Sequence, residues 1–241
     1  LLLLDPKELA EQLTLLDFEL FRKIDPSELL GSVWGKRSKK SPSPLNLERF
    51  IERFNEVSNW VATEILKQTT PKDRAELLSK FIQVAKHCRE LNNFNSLMAI
   101  VSALSSSPIS RLKKTWEKLP SKYKKLFEEL EELLDPSRNF KNYREALSSC
   151  NLPPCIPFLG VLLKDLTFID EGNPDFLKNG LVNFEKRRKI AKILREIRQL
   201  QSQPYNLRPN RSDIQSLLQQ SLDSLPEENE LYELSLRIEP R

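Results

Sequence analysis

PPCIPFLGVLLKDLTFIDEGNPD, residues 153–175, is the stretch on which the reading of this chain turns. It is written as a helix. Pro157 suits the first helical position, Gly172 is able to take φ > 0 at the stop, and Pro174 follows as a breaker. Between them Phe158, Leu159, Val161, Leu162, Leu163, Leu166, Phe168 and Ile169 make the segment apolar nearly all round. Such a helix packs against the body on one side and against something else on another. Its last turn carries Asp170 and Glu171, where the helix dipole favours cations, at a cost of about 0.3–1 kcal/mol. Two carboxylates at that end call for an explanation.

The flanking sequence supplies more helices. Leu9, Leu13, Leu16 and Leu20 recur at helical spacing behind Asp5-Pro6, a cap and a first-turn proline. A long helix is expected from about Leu45 to Lys67, with Phe50, Phe54, Val57, Val61 and Ile65 as its stripe. Thr70-Pro71 restarts the chain into another, with Leu78, Ile82 and Ala85 inward. Asn92 to Leu104 reads as a helix buried on several sides, Tyr123 to Leu134 and Phe140 to Leu147 as two more. Leu181 to Gln203 is the last long helix, with Phe184, Ala191, Leu194 and Ile197 on one side, and it is the natural antiparallel partner of the opening stretch. Shorter elements are expected near Asp213 to Leu222 and near Leu231, and Gly31 to Pro44 is the clearest loop.

The 241 residues include 5 Gly against 16 Pro, and none of the segments alternates with period two, so the fold class is all-α. We expect one globular multi-helix bundle over 1–241 with a protruding helical hairpin at about 157–200 and no separate second domain. Hydrophobic residues at 39% supply a core, and charged residues at 30% with a net charge of +4 describe a mildly basic surface. The basic runs at 36–40 and 186–189 fit a solvated loop and a solvated helix face, so no nucleic-acid partner is expected. Leu1–Leu4 is too short for a signal peptide or a span, so no direct membrane insertion is expected. Without an initiator Met, the chain reads as a domain of a longer cytoplasmic protein whose other parts would recruit it to membranes.

Conventional catalytic constellations are missing. Gly31, Gly35, Gly160, Gly172 and Gly180 are scattered, so neither common phosphate-loop spacing occurs. Ser105-Ser106-Ser107 lacks the glycines of a hydrolase elbow. Cys88, Cys150 and Cys155 have no histidine cluster beside them for zinc and read as buried free thiols. His87 and Cys88 are adjacent on a helix and diverge. No metal and no cofactor is expected.

Several segments together resemble a known family. They are Asn92-Asn-Phe-Asn95, Ile109-Ser-Arg-Leu112 with Thr115-Trp116, Pro154-Cys-Ile-Pro-Phe-Leu-Gly160, Lys164 to Asn173, and Val182 to Arg187. In this order they resemble the catalytic domain of Ras-family guanine nucleotide exchange factors, from about Leu9 to Ile238-Glu-Pro-Arg241. The resemblance implies a hairpin that prises open a Ras-like small GTPase, Ras or Rap, favours its nucleotide-free state, and makes or breaks no covalent bond. A non-catalytic GTPase-binding or scaffold domain is the alternative, and a monomer is expected.

The same resemblance implies roles for particular residues. Glu171 matches the acidic residue that enters the partner's phosphate site, Thr167 the position nearest its magnesium, and Asn173 a contact at the hairpin turn. Lys164, where many members have Thr, joins these acting residues. Ile51, Met98, Phe140 and Phe158, with Leu159, fall where the family receives an aromatic residue of the partner. Ser43-Pro-Leu-Asn46 has one residue more than the family's usual Ser-Pro-Asn. The region from Trp116 to Arg138 resembles Rap-directed relatives, and that from Arg74 to Val84 the diacylglycerol-regulated group.

Overall fold

The computed structural model describes residues 4–30, 44–150, 154–208, 225–226 and 228–240. The loop expected at Gly31–Pro44, except Pro44, and the helix expected near Asp213–Leu222 lie outside these residues. Helix α1, Pro6–Phe21, opens as expected: the Asp5 carboxylate accepts from the amides of Lys7 and Glu8, and Pro6 occupies the first turn. A 3₁₀ turn, Pro26–Leu29, follows under Asp25, and Glu28 closes its capping box. Glu28 also accepts from the amides of Asn46 and Leu47, at 2.9 and 3.0 Å. It thereby caps α2, Leu45–Leu66, whose own N-cap Pro44 has no side-chain donor or acceptor to offer.

Helix α3, Pro71–Glu90, begins under Thr70, and α4, Phe94–Ser105, under Asn93. Between them Asn92 takes φ +54°, a left-handed conformation that Asn tolerates. Helices α1 to α4 pack on one another, and α4 is buried from Phe94 to Leu104 except at Ser102. Short helices α5, Ser107–Ser110, and α6, Lys113–Lys118, lead to α7, Ser121–Leu134, and α8, Ser137–Ser149. The opening stretch forms α9, Leu159–Gly172, and α10 is Phe184–Gln201. Helix α11, Glu228–Ile238, closes over α2 and α5. Among the described residues there are isolated β-bridges but no strand, so the fold is all-α.

Two apolar cores result. The larger joins α1 to α4 with α7, around Trp60, Phe81, Phe94 and Leu97. The smaller anchors the hairpin. Leu159, Leu162, Leu163 and Leu166 of α9 and Ile190 and Ile197 of α10 pack on Phe18, Phe21, Leu29, Leu47 and Phe50. Each buried aliphatic side chain contributes about 1.5–3 kcal/mol, so the lower half of the hairpin is firmly seated. Between Leu166 and Ile190, Ile169 still packs half-buried against that core, whereas Phe168, Phe176, Leu177, Leu181, Val182 and Phe184 are exposed.

The root of α9 is also tied to the body by polar groups. Asp17, fully buried on α1, accepts from Asn93, Asn95 and Ser96. Arg53 on α2 faces it at 3.5 Å. The chain beside Asn93 then pairs with the root: Ile156 donates to Asn92 O at 3.0 Å and Phe94 donates to Ile156 O at 2.9 Å. These bonds join three segments, while Asp17 Oδ1 and the Arg53 Nε and Nη2 atoms, also buried, belong to an ion pair and have no hydrogen bond among the described residues.

Three local expectations are corrected. Pro157 precedes the N-cap Phe158 instead of taking the first helical position, because Phe158 is still extended at φ −75°, ψ 105°. Gly172 does not supply a left-handed stop; among the described glycines only Gly180, at φ +80°, is left-handed. Helix α9 ends because Asn173 turns extended, at φ −135°, ψ 128°, as the residue before Pro174 must. Phe184 is not on the inward side of α10 but 75% exposed; Lys186, Ile190 and Ile197 form the buried face.

Candidate functional site

The turn between α9 and α10 is built, not loose. Phe176 and Val182 form an antiparallel bridge, Leu177 donates to Leu181 O at 2.7 Å, and Asn183 donates to Asp175 O at 2.8 Å. Gly180 makes the reversal, since φ +80° is strained for a residue with a Cβ. Around this tip Phe168, Phe176, Leu177, Leu181, Val182 and Phe184 are all exposed. Apolar side chains gathered on one exposed tip mark a surface made to be covered.

The two carboxylates of the opening stretch part company here. Asp170 is half-buried and paired with Lys186 at 2.7 Å, and the same ammonium donates to the Asp170 carbonyl at 2.9 Å. Lys186 therefore satisfies a C-terminal carbonyl and neutralises the acid that the dipole disfavours. Asp175 shares it at 3.0 Å. The Asp170 carboxylate raises the Lys186 pKa above the ordinary lysine value, burial opposes this, and Asp175 adds to the rise. Lys186 in turn holds Asp175 below the usual carboxylate range. Glu171 is different. It is exposed at the helix end, and no hydrogen bond or ion pair among the described residues engages its carboxylate.

Of the other expected acting residues, Thr167 and Asn173 lie toward the same end and Lys164 about two turns back. Thr167 is half-buried and donates to Leu163 O at 3.0 Å, one turn back. Asn173 caps α9 and donates from its amide to Ile169 O at 2.9 Å. Lys164 is exposed, its ammonium 5.6 Å above the Phe168 ring.

Of the expected pocket residues, Met98 is a buried member of the larger core, and Phe140 and Phe158 are half-buried against that core. The Phe158 ring lies 5.3 Å from that of Phe54 and folds back over Gly160, where an added Cβ would stand 2.5 Å from it. Only glycine leaves room for that ring. Ile51 is exposed on α2 outside this cluster, three residues before Phe54 and therefore beside it on the helix surface. Leu159 is a correction: at 2% exposure it belongs to the smaller core beneath the hairpin and presents no surface to a partner.

Phe140 owes its place to an unusual backbone. Arg138, Asn139 and Phe140 have φ of 50°, 57° and 59°, a left-handed turn at the start of α8. Asn139 tolerates this conformation, and Arg138 and Phe140 each cost about 1–2 kcal/mol there. Tyr143 follows, buried, its ring edge-on to Phe94 at 5.3 Å and to Phe140 at 6.4 Å. Its hydroxyl accepts from Phe158 N at 2.9 Å and donates to Phe158 O at 3.4 Å. Burial pushes the phenol far above its ordinary pKa, so it stays protonated. Sequence reasoning did not select Phe54, Tyr143, Lys186 or the apolar tip as parts of the site. The runs Phe176-Leu177 and Leu181-Val182, apolar residues inside a turn, were the one visible signal.

Other groups add no chemistry here. His87 pairs with Glu90 at 2.7 Å. Cys88 and Cys155 are buried, and Cys150 is half-buried rather than buried. Among the described residues no group of three His, Cys, Asp or Glu could hold a metal, and no helix is long and apolar enough to cross a membrane.

An all-α body carries a braced hairpin whose tip presents apolar side chains and a carboxylate without a partner among the described residues. The model of the RasGEF domain matches residues 8–188, and the chain belongs to that family. It is 45% identical over 99% of its length to Ras-specific guanine nucleotide-releasing factor 2 of Danio rerio. Cell division control protein 25 of Saccharomyces cerevisiae is 45% identical over 100% of the chain. Ras guanine nucleotide exchange factor J of Dictyostelium discoideum is 46% identical over 98%. The chain spans 19%, 15% and 29% of those three proteins.

Proposed function

We propose that residues 1–241 form one catalytic domain that exchanges guanine nucleotide on a Ras-like small GTPase, releasing GDP so that GTP can load. The observation that carries this reading is the exposed Glu171 carboxylate, without a partner among the described residues, at the end of an anchored hairpin. A carboxylate presented this way competes electrostatically with a nucleotide phosphate for the partner's donors. Thr167, one turn back, Lys164, about two turns back, and Asn173, two residues on, act with it, Thr167 nearest the partner's metal site. Met98, Phe140 and Phe158, with Ile51 at the rim, receive an aromatic side chain of the partner. The relatives' names, two of them specifying Ras, support Ras ahead of Rap as the substrate.

No bond of the substrate is made or broken in this mechanism. Nanomolar-to-picomolar nucleotide binding corresponds to about 12–16 kcal/mol. The domain offsets this by binding the nucleotide-free GTPase better, across an interface on the order of 2,000 Å². Coupling is reciprocal, so incoming nucleotide expels the domain. Association of the domain with membranes falls to other parts of a longer protein, a reading supported by the greater length of its relatives.

The test is release of a labelled guanine nucleotide from purified Ras and Rap proteins with and without this chain. Acceleration that saturates with GTPase concentration is expected. Tight binding of nucleotide-free GTPase without acceleration would identify a scaffold instead.

A further inference from the structure

We propose that Tyr143 and Arg144, neighbours on α8, are positioning residues that set the pocket aromatics Phe140 and Phe158 and hold α9 in its working orientation. The proposal rests on the exchange reading and names two residues that touch no substrate. Tyr143 acts at the root. Its hydroxyl brackets both backbone polar groups of Phe158, the N-cap of α9, which has no side-chain cap. Without that hydroxyl the Phe158 amide has no acceptor there, and the ring beside it loses its anchor.

Arg144 acts on the same helix from another direction, about 100° round from Tyr143. Its Nε donates to Asn139 O at 2.8 Å, inside the left-handed turn that places Phe140. Its two terminal nitrogens form a fork on the Asp165 carboxylate of α9, at 2.7 and 2.9 Å. One guanidinium therefore joins the strained turn to the hairpin. The planar fork fixes orientation as well as distance, which a lysine does not. Both partners are about a quarter to a third exposed, at 32% and 23%, where an ion pair adds little to global stability. A pair of that kind is better suited to setting geometry than to holding the fold.

The experiment measures stimulated nucleotide release from a titrated Ras-like GTPase, amide hydrogen exchange in α9, and melting temperature. The chains are wild type, Tyr143→Phe, Arg144→Ala, Arg144→Lys, Asp165→Ala and the double variant Arg144→Ala/Asp165→Ala. Tyr143→Phe should raise KM roughly three- to tenfold, because the pocket ring is displaced, with kcat within about twofold. Arg144→Ala and Asp165→Ala should each lower kcat roughly three- to tenfold, and the double variant no further, since they remove one interaction. Arg144→Lys should recover little of the loss. Amides of α9 should exchange faster in both single alanine variants and no faster in the double. Additive losses, or lower melting temperatures with wild-type constants per folded molecule, would make α8 a structural strut and overturn the proposal. If wild type itself fails to stimulate release, the exchange reading falls. The hydrogen-exchange arm then still decides the brace, and unchanged α9 exchange in the alanine variants overturns it.

Discussion

Glu171 and Asp170 stand side by side, and the difference between them is a lysine. Asp170 has Lys186; Glu171 has no partner among the described residues. Glu171→Ala should therefore leave the melting temperature unchanged, since the dipole at that end makes the carboxylate locally unfavourable. Stimulated release should fall about ten- to a hundredfold, the worth of a charge-assisted hydrogen bond at about 1.5–3 kcal/mol. Wild-type release from this variant would refute the phosphate competition. Gly160 gives a second prediction at this scale. Alanine is the better helix former by about 1 kcal/mol, yet its Cβ would stand 2.5 Å from the Phe158 ring. Gly160→Ala should cost about 1–3 kcal/mol through overpacking and raise the KM for the GTPase, read from urea melts and release titrations. A stabilised variant with unaltered KM would mean that the ring position is free.

At the scale of the element, the hairpin is half core and half instrument. Its base is seated among Phe18, Phe21, Leu29, Leu47 and Phe50, whereas its tip depends on polar ties, with Lys186 at their centre. Lys186→Met should leave the base intact, with loss of about 1.5–3 kcal/mol of local stability at the end of α9. We expect faster amide exchange in the last turn of α9 and the first of α10, and slower nucleotide release, with little change in global melting. Loss of cooperative folding would show that the tip is part of the core after all. Cap-and-proline signals placed most helix starts to within a residue or two, as at Asp5-Pro6 and Thr70-Pro71, because caps act over three or four residues. The end of α9 was assigned to the wrong residue. Gly172 could have adopted a left-handed conformation, but the steric rule for Asn173 before Pro174 acted first.

Across the whole molecule, the closing segment is held by buried charge. Arg74 donates to Glu239 at 3.1 Å and to Thr115 at 2.9 Å, and Thr115 donates to Glu239 at 2.9 Å. Burial raises the Glu239 pKa most, but Thr115, the Lys114 amide and Arg74 together outweigh it and leave it below 4.5. A depressed carboxylate contributes stability that is fully present above its unfolded value and lost as pH falls through the folded one. Arg74→Gln should thus destabilise the chain by about 3–5 kcal/mol at pH 7, the cost of leaving one member of a buried pair. The gap to wild type should narrow in urea melts below about pH 4.5. A gap that stays constant to pH 3 would place the effect of Arg74 in packing, not in charge.

The sequence by itself determined the all-α class, most helix boundaries, the pairing of α9 with α10, and the exposure of Glu171 at a helix end. The class and the boundaries follow from signals within a turn or two of chain: apolar period, caps, prolines and sparse glycine. The pairing follows from two long helices being consecutive, and Glu171 is singled out by the family resemblance. Tertiary structure alone decided which of the two acids is neutralised, because Lys186 reaches Asp170 only after the chain has reversed. It alone turned Phe184 outward and Leu159 inward, since the half-buried face of α10 and the floor under α9 are set by what each helix meets. And it alone made Tyr143 the support of Phe158, across 15 residues of chain, because a hydroxyl's partners are fixed by distance in space and leave no periodic trace in sequence.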